Sequence, residues 1–543
     1  MGATLDHGGT ATLVRPVRPS DASEEAPAPA PTPGRWAGLL RFAGHRWTSV
    51  VFVAAVALAA RLVALPTAYD IFIDETSYAS ISRNVASGRG ATLYGLPFVL
   101  HPPAAFGMWG LALLAAGRHG SLVSTVYYLR VVTAVLGAAT CVVTFYLVDA
   151  MARRRVAVVA ALLVALDPLA ISFDSRVMLE APAQLATVSM ILFVVLADRF
   201  RHSRLRRRTL LVAAGVTGGA ALATKETFGL VVLVTLVLMV VTGWVVTRRE
   251  ALRVTVVAVL VYLVSVGADG ASFGIKIWWN AKVVGMLRLI GAHQITGFNA
   301  PQTHVSLLSR VLANGQVFAV TYVVLATGVF CALGTIWRLE PWYPKRRLRD
   351  PSRRASALVA LWTLSAAGYL GYATVFGTIE EQMYYILLLP SIVSVCVWWA
   401  GCSAVRTHRW RLVATAVVVA ALCVNAAVWA SIHLGHDDEY RRLVAWEATH
   451  VPVSAVIAST DGTSQFLLTR GVIGQWDTVA GLRKNHVDFV VLSTLLVEQG
   501  YGLASPAFVR SVERGGRLVF SADGVSDGSL RVYDVQAITG APL

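Results

Sequence analysis

Charge is scarce in this chain, and so is anything that could cross-link it. Only 14% of the 543 residues are charged, while 56% are apolar. That balance excludes an ordinary soluble globular domain. The five cysteines, Cys141, Cys331, Cys396, Cys402 and Cys423, all fall inside apolar runs, and no C-x-x-C spacing occurs. Thiolate metal sites are thereby set aside, and the polar C-terminal part has no cysteine with which to form a disulfide. The thiols read as small buried hydrophobes. No heptads and no short-period repeats occur, so neither a coiled coil nor a solenoid is expected. The first 34 residues lack the apolar core and small-residue cleavage site of a signal peptide. Their Pro, Ala and Gly content reads instead as a disordered cytoplasmic leader, 1–34.

What is present is apolar length. Runs close to those needed to cross a hydrocarbon core of roughly 30 Å recur along most of the chain. The expected spans are 49–66, 126–150, 156–172, 181–198, 209–223, 228–246, 254–272, 316–337, 355–376, 384–402 and 412–432. The basic clusters ARRR, RFRHSRLRRR, TRREALR, RLEPWYPKRRLRDPSRR and VRTHRWR then all fall on one side. Roughly 25 Lys and Arg lie on that side and about nine on the other, which makes the basic side cytoplasmic. The formal charge of +16 is thus read as cytoplasmic loops facing anionic lipid, with no nucleic-acid partner. The expected fold is a polytopic α-helical membrane protein of about eleven spans, inserted in the plasma membrane with its N-terminus inside.

Residues 433–543 change character. Short β-branched runs, AVIAS, DFVVLS, RLVFSAD and SLRVYD, alternate with Gly, Asp and Ser turns and helical stretches. They read as a small extracytoplasmic α/β domain after a membrane domain spanning 35–432. The segment HLGHDDEY (433–440) between them reads as a solvated junction, with a metal site as the alternative.

This topology places every unusual polar cluster on the outer face. YDIFIDETSY carries Asp74 and Glu75, adjacent carboxylates that repel each other wherever they are covered. FVLHPPAAFG carries His101, ISFDSRVMLEAPAQ carries Asp174, Arg176 and Glu180, and ATKETFG carries Lys225. GTIEEQMYYILLLP adds Glu380, Glu381, Tyr384 and Tyr385. Ionisable groups at a membrane edge are costly and usually functional. Each has a plainer role available. The acid pair suits a helix N-terminus, Arg176 and Glu180 are spaced to pair with each other, Lys225 can snorkel, and the tyrosines suit an aromatic belt.

DETSY, HPPAAF, DSRVMLEAP and ATKETFG, in this order over about 45–400, resemble the polyprenyl-phosphate-dependent GT-C glycosyltransferases. Within that group the chain is most similar to the protein O-mannosyltransferases and the lipid A aminoarabinose transferases. The resemblance implies a lipid-phosphate-linked sugar donor used on the outer face, with the first-loop acid catalytic. The acceptor, whether protein, lipid or glycan, stays open. Metal dependence is open as well: the oligosaccharyltransferase branch implies a divalent ion, and this chain looks more like the other branches. Such a transfer needs a base for the acceptor hydroxyl and cations for the leaving phosphate. Asp74 is the expected base, with Glu75 raising its pKa and Glu180 orienting the base or a cation. His101, Arg176, Lys225, Tyr384 and Tyr385 are the expected phosphate contacts; several relatives carry Lys where His101 stands. Asp174, Glu380 and Glu381 complete the candidates. The alternative is a transporter or flippase of a lipid-linked precursor, which would place charges deep within its spans. A long outer loop, 275–304, is expected to cover the site as a lid.

Overall fold

The structure, a computed structural model, describes residues 46–117, 120–292, 306–339, 350–376, 379–402, 407–498, 503–525 and 528–540. The leader expected over 1–34 lies outside the described residues. Helix α1 (Arg46–Leu62) runs into a long loop that carries α2 (Ile73–Ala86), a ribbon of β1 (Thr92–Leu93) and β2 (Leu96–Pro97), and α3 (Ala104–Ala115). There follow α4 (Leu122–Met151), α5 (Arg154–Ala165), α6 (Pro168–Asp174), α7 (Glu180–Arg199), α8 (Arg204–Thr224), α9 (Glu226–Thr242) and α10 (Arg248–Phe273). The helical part closes with α11 (Ile275–Leu289), α12 (Leu307–Val317), α13 (Ala319–Arg338), α14 (Pro351–Val375), α15 (Gln382–Gly401) and α16 (His408–His433).

Local chemistry sets the breaks. Ser121 caps α4 by accepting from the Ser124 amide, and Thr247 forms a capping box with Glu250 at α10; each satisfies amides that no helical carbonyl reaches. Asp167 ends one helix and starts the next, accepting from the Ala170 amide at 3.0 Å, with Pro168 in the first turn where its missing N–H costs nothing. The pair α5 and α6 is bent there by 63°. The hydroxyl of Thr321 on α13 donates to the other Asp167 oxygen at 2.8 Å, so this buried break is hydrogen-bonded across helices. Close helix approach depends on small residues. A Cβ at Gly219 on α8 would lie 2.5 Å from the Val261 Cβ of α10.

Seven helices among the described residues are long and apolar enough to cross a membrane, and eight if α5 and α6 count as one bent span. The other three expected spans coincide with α1, α8 and α9. Helices α1 and α9 have 17 residues each, and α8 has Arg204, Arg206, Arg207 and Arg208 in its first turns.

Beyond α16 come α17 (Glu439–His450), β3 (Val456–Ser459), α18 (Gly462–Leu467), β4 (Val472–Gly474), α19 (Val479–Lys484), β5 (Phe489–Ser493) and α20 (Thr494–Glu498). The chain ends with α21 (Pro506–Gly515), β6 (Arg517–Asp523), β7 (Ser529–Asp534) and α22 (Gln536–Thr539). The strands form one sheet in the order β4-β3-β5-β7-β6. β4, β3 and β5 are parallel, and β7 is antiparallel to both β5 and β6. Val490, Leu492, Leu482, Phe508, Val512 and Tyr533 pack one face of this sheet. The joint to the helical part corrects the expectation for 433–440 in part. Asp437 and Asp438 are 5% exposed and Glu439 is 0% exposed, so the end of the segment is packed, while Leu434, 79% exposed, and His436 face solvent.

Candidate active site

The two adjacent acids at the start of α2 have opposite fates. Glu75 points inward and is fully buried. Arg130 of α4, also fully buried, donates to both its oxygens at 2.8 and 2.6 Å. The amides of Val177 and Phe72 complete its shell at 2.8 and 3.1 Å. These partners outweigh burial and hold its pKa below the usual carboxylate value. Asp74 faces the other way, is only partly covered, and has no hydrogen-bond partner among the described residues. Burial pushes its pKa up to about 6; Lys225 and His101 pull it down, and Glu180 and Glu380 raise it. The upward shift expected from Glu75 therefore has desolvation as its leading cause.

Four of the other expected residues, Lys225, Glu180, Glu380 and His101, stand around Asp74 from separate segments. Lys225, the single extended residue between α8 and α9, donates to Glu180 at the start of α7 and to the Gln382 side chain at 2.7 Å. Gln382 in turn donates to Glu380. His101 Nδ1 lies 3.8 Å from Glu226. Helix α11 lies across this group. Its Lys282 donates to Glu226 at 2.5 Å, and its Arg288 approaches Glu380 to 3.9 Å. The 275–289 part of the expected lid is thus a helix tied by two ion pairs, and residues 293–304 lie outside the described residues.

The remaining candidates sit elsewhere. Asp174 is locked between Arg61 of α1, at 2.9 and 2.7 Å, and the Tyr385 hydroxyl, at 2.6 Å. All three are buried, and a Cβ at Gly137 would strike Asp174, so that glycine makes the room. Tyr384 packs edge-on against Tyr322. Arg176 lies over the Tyr69 ring at 4.8 Å and lowers the pKa of Glu381, which burial raises. The i, i+4 pairing of Arg176 with Glu180 gives way to the Glu180–Lys225 pair.

Arg130, Arg61, Lys282, Arg288, Glu226 and Gln382 were not among the expected site residues. For the first two a signal exists: each is an arginine inside an apolar run, which requires a buried partner. For Lys282 and Arg288 the only cue is an i, i+6 spacing of bases in a loop, which says nothing about partners.

A divalent ion does not fit these residues. Among the described residues no three His, Cys, Asp or Glu side chains are placed to hold one, and Glu180 and Glu226 are already matched by lysines.

Residues 117–280 match the family model for dolichyl-phosphate-mannose-protein mannosyltransferase. No curated protein matches the chain by sequence. Among solved structures, ArnT from Cupriavidus metallidurans bound to undecaprenyl phosphate superposes with a TM-score of 0.56 at 15% identity, covering 92% of this chain and 100% of that one. The oligosaccharyltransferase AglB from Archaeoglobus fulgidus, in complex with an inhibitory peptide and a dolichol phosphate, also gives 0.56 at 14% identity, covering 90% and 74%. At these identities the likeness is one of fold. The chain thus has the fold seen in ArnT and AglB, and its residues 117–280 are similar to the protein mannosyltransferase family.

Proposed function

We propose that this protein is a membrane glycosyltransferase that moves a hexosyl or pentosyl unit from a polyprenyl-phosphate donor to an acceptor hydroxyl on the extracytoplasmic face. Asp74 is the general base. It takes the acceptor proton as the hydroxyl oxygen attacks the anomeric carbon. The bond from that carbon to the phosphate oxygen breaks, and its electron pair leaves with the polyprenyl phosphate. Lys225 and His101, with Lys282 and Arg288 on α11, are the cations that meet the leaving phosphate, exchanging their present carboxylate partners for it. Glu180 holds Lys225. All eleven expected spans cross the plasma membrane, with the N-terminus inside and the α/β domain outside.

The observation that carries this reading is the divided pair. One carboxylate is consumed by an arginine, while its neighbour has no hydrogen bond among the described residues, has a pKa pushed up to about 6, and faces cations from two other segments. The test is turnover of a polyprenyl-phosphate sugar by the purified protein in nanodiscs, comparing wild type with Asp74→Asn. Wild-type-like turnover by the variant would remove Asp74 from the mechanism.

A further inference from the structure

In open α/β sheets, ligands bind beyond the carboxyl ends of the parallel strands, where the strand order reverses. Here the reversal lies between β3 and β5, because β4 pairs on one side of β3 and β5 on the other. The residues that leave those strand ends are polar, yet Ser459, Thr460, Asp461, Ser464 and Ser493 are all 0–1% exposed. Thr460 is held by the Val491 carbonyl and the Leu503 amide, while the corner at Asp461 and Gly462 meets the approach to α2.

The contacts run in an unbroken line. Asp461 caps α18, accepting from the Ser464 amide at 2.7 Å, and the same oxygen accepts from the Tyr440 hydroxyl at 2.9 Å. The Tyr440 amide donates to Asp70 Oδ2 at 2.9 Å, and Asp70 Oδ1 accepts from the Ile71 amide at 2.8 Å. Asp437 donates its amide to the Thr67 carbonyl at 2.9 Å and accepts from the Asp70 amide at 3.3 Å. On the opposite side Arg130 donates to the carbonyls of Leu65, Tyr69 and Asp70 at 3.1, 2.9 and 2.9 Å. The segment leading into α2 is therefore held from both sides. At its end Gly462 packs so closely on Ile73 that a Cβ there would lie 2.5 Å from Ile73 Cδ1. Tyr94, in the ribbon after α2, stacks on Phe466 of α18 with ring centroids 4.8 Å apart.

Ile73 is the residue before Asp74. We propose that the C-terminal α/β domain is the positioning element for the base: its sheet crevice, in place of a ligand, takes the N-terminal turn of α2, and Gly462, Tyr440 and Asp461 set where the Asp74 carboxylate stands. This inference rests on Asp74 being the base. The physical stake is distance, since a misplacement of about 1 Å at a reacting group can cost on the order of a hundredfold in rate.

The experiment uses the full-length protein in nanodiscs. Gly462→Ala pushes a methyl group against Ile73. It is expected to lower kcat about ten- to a hundredfold, with KM for the lipid-phosphate sugar little changed, and to move the acid limb of the pH–rate profile, because Asp74 shifts relative to Lys225 and His101. Adding Ile73→Val removes the Cδ1 atom that the methyl group meets, so the double variant should recover most of kcat and return the limb toward wild type. Tyr440→Phe, which keeps the ring and removes the hydroxyl bonded to Asp461, should give a smaller kcat loss with the same pattern. Asp74→Asn is run alongside. Full activity of Asp74→Asn overturns both the base and its positioning. If Asp74→Asn is inactive but Gly462→Ala lowers only the folded fraction, with kcat per folded molecule and the acid limb unmoved, the positioning role is wrong and the base reading stands. Failure of Ile73→Val to rescue a lowered kcat counts against it equally.

Discussion

Arg130 holds Glu75 through both carboxylate oxygens, and neither side chain is exposed to any extent. An isolated charge left in that place would be unsolvated, so the two residues are stable only as a pair. Glu75→Gln and Arg130→Ala should each destabilise the fold, by about 3–5 kcal/mol for the arginine deletion. The expected readout is a lowered thermal midpoint and lowered abundance, with turnover per folded molecule falling less than in Asp74→Asn. A folded, fully stable Arg130→Ala protein would contradict this account of Glu75.

Asp74→Asn should lower turnover about a hundredfold to ten-thousandfold, the usual contribution of a general base. Thermal stability and affinity for the lipid phosphate should stay close to wild type, since no hydrogen bond is lost. Lys225→Ala should differ by weakening lipid-phosphate binding together with turnover. Binding isotherms with polyprenyl phosphate and single-turnover rates separate the two patterns.

The pH dependence has a definite sign. A base must be ionised, so turnover should rise with pH through about 6, the pKa to which burial pushes Asp74. Lys225 and His101 oppose that rise, and Glu180 and Glu380 add to it. Lys225→Ala should therefore move the acid limb to higher pH, and Glu180→Gln to lower pH. Opposite or absent shifts would show that the limb belongs to another group.

The joint between the two parts of the chain should also respond to pH. Glu439 and Asp70 both sit above the ordinary carboxylate range, because burial disfavours their charge; Asp70 raises Glu439 further, a hydrogen bond with Glu439 pulls Asp70 partly back, Asp437 raises both, and Arg442 lies 3.4 Å from Glu439. In the unfolded chain both titrate at the ordinary value, so between that value and the raised one the folded state binds more protons. Stability is then greatest at or below the ordinary carboxylate pKa and falls as pH rises through the folded one. Thermal midpoints measured across that range should decline for wild type and decline less for Glu439→Gln.

Sidedness can be read with single cysteines in a background lacking the five native ones. Leu205 and Val472 are 77% and 60% exposed. A membrane-impermeant thiol reagent applied to intact cells should label Val472→Cys and leave Leu205→Cys unlabelled. Labelling of Leu205→Cys would invert the whole outer face.

The helices, their order and the α/β character of the tail are legible in the sequence because they follow from local rules. Apolar length, Ser, Thr and Asp caps, and alternation of β-branched residues each act within a dozen residues. The loops that carry Asp74, His101, Glu180, Lys225 and Glu380 could be placed on one face for the same reason, since alternating spans and basic loops leave few arrangements. What the order of residues could not decide is which member of an adjacent pair faces which way. Glu75 turns inward because Arg130, 55 positions away, needs a counter-charge inside the helical part, and Asp74 is left facing Lys225 and His101 as a consequence. Nor could it assign Arg61 and Tyr385 to Asp174, Lys282 to Glu226, or Gly462 to Ile73. Those contacts depend on how helices and sheet pack over long separations, and charge pairing, desolvation and close approach act only through space.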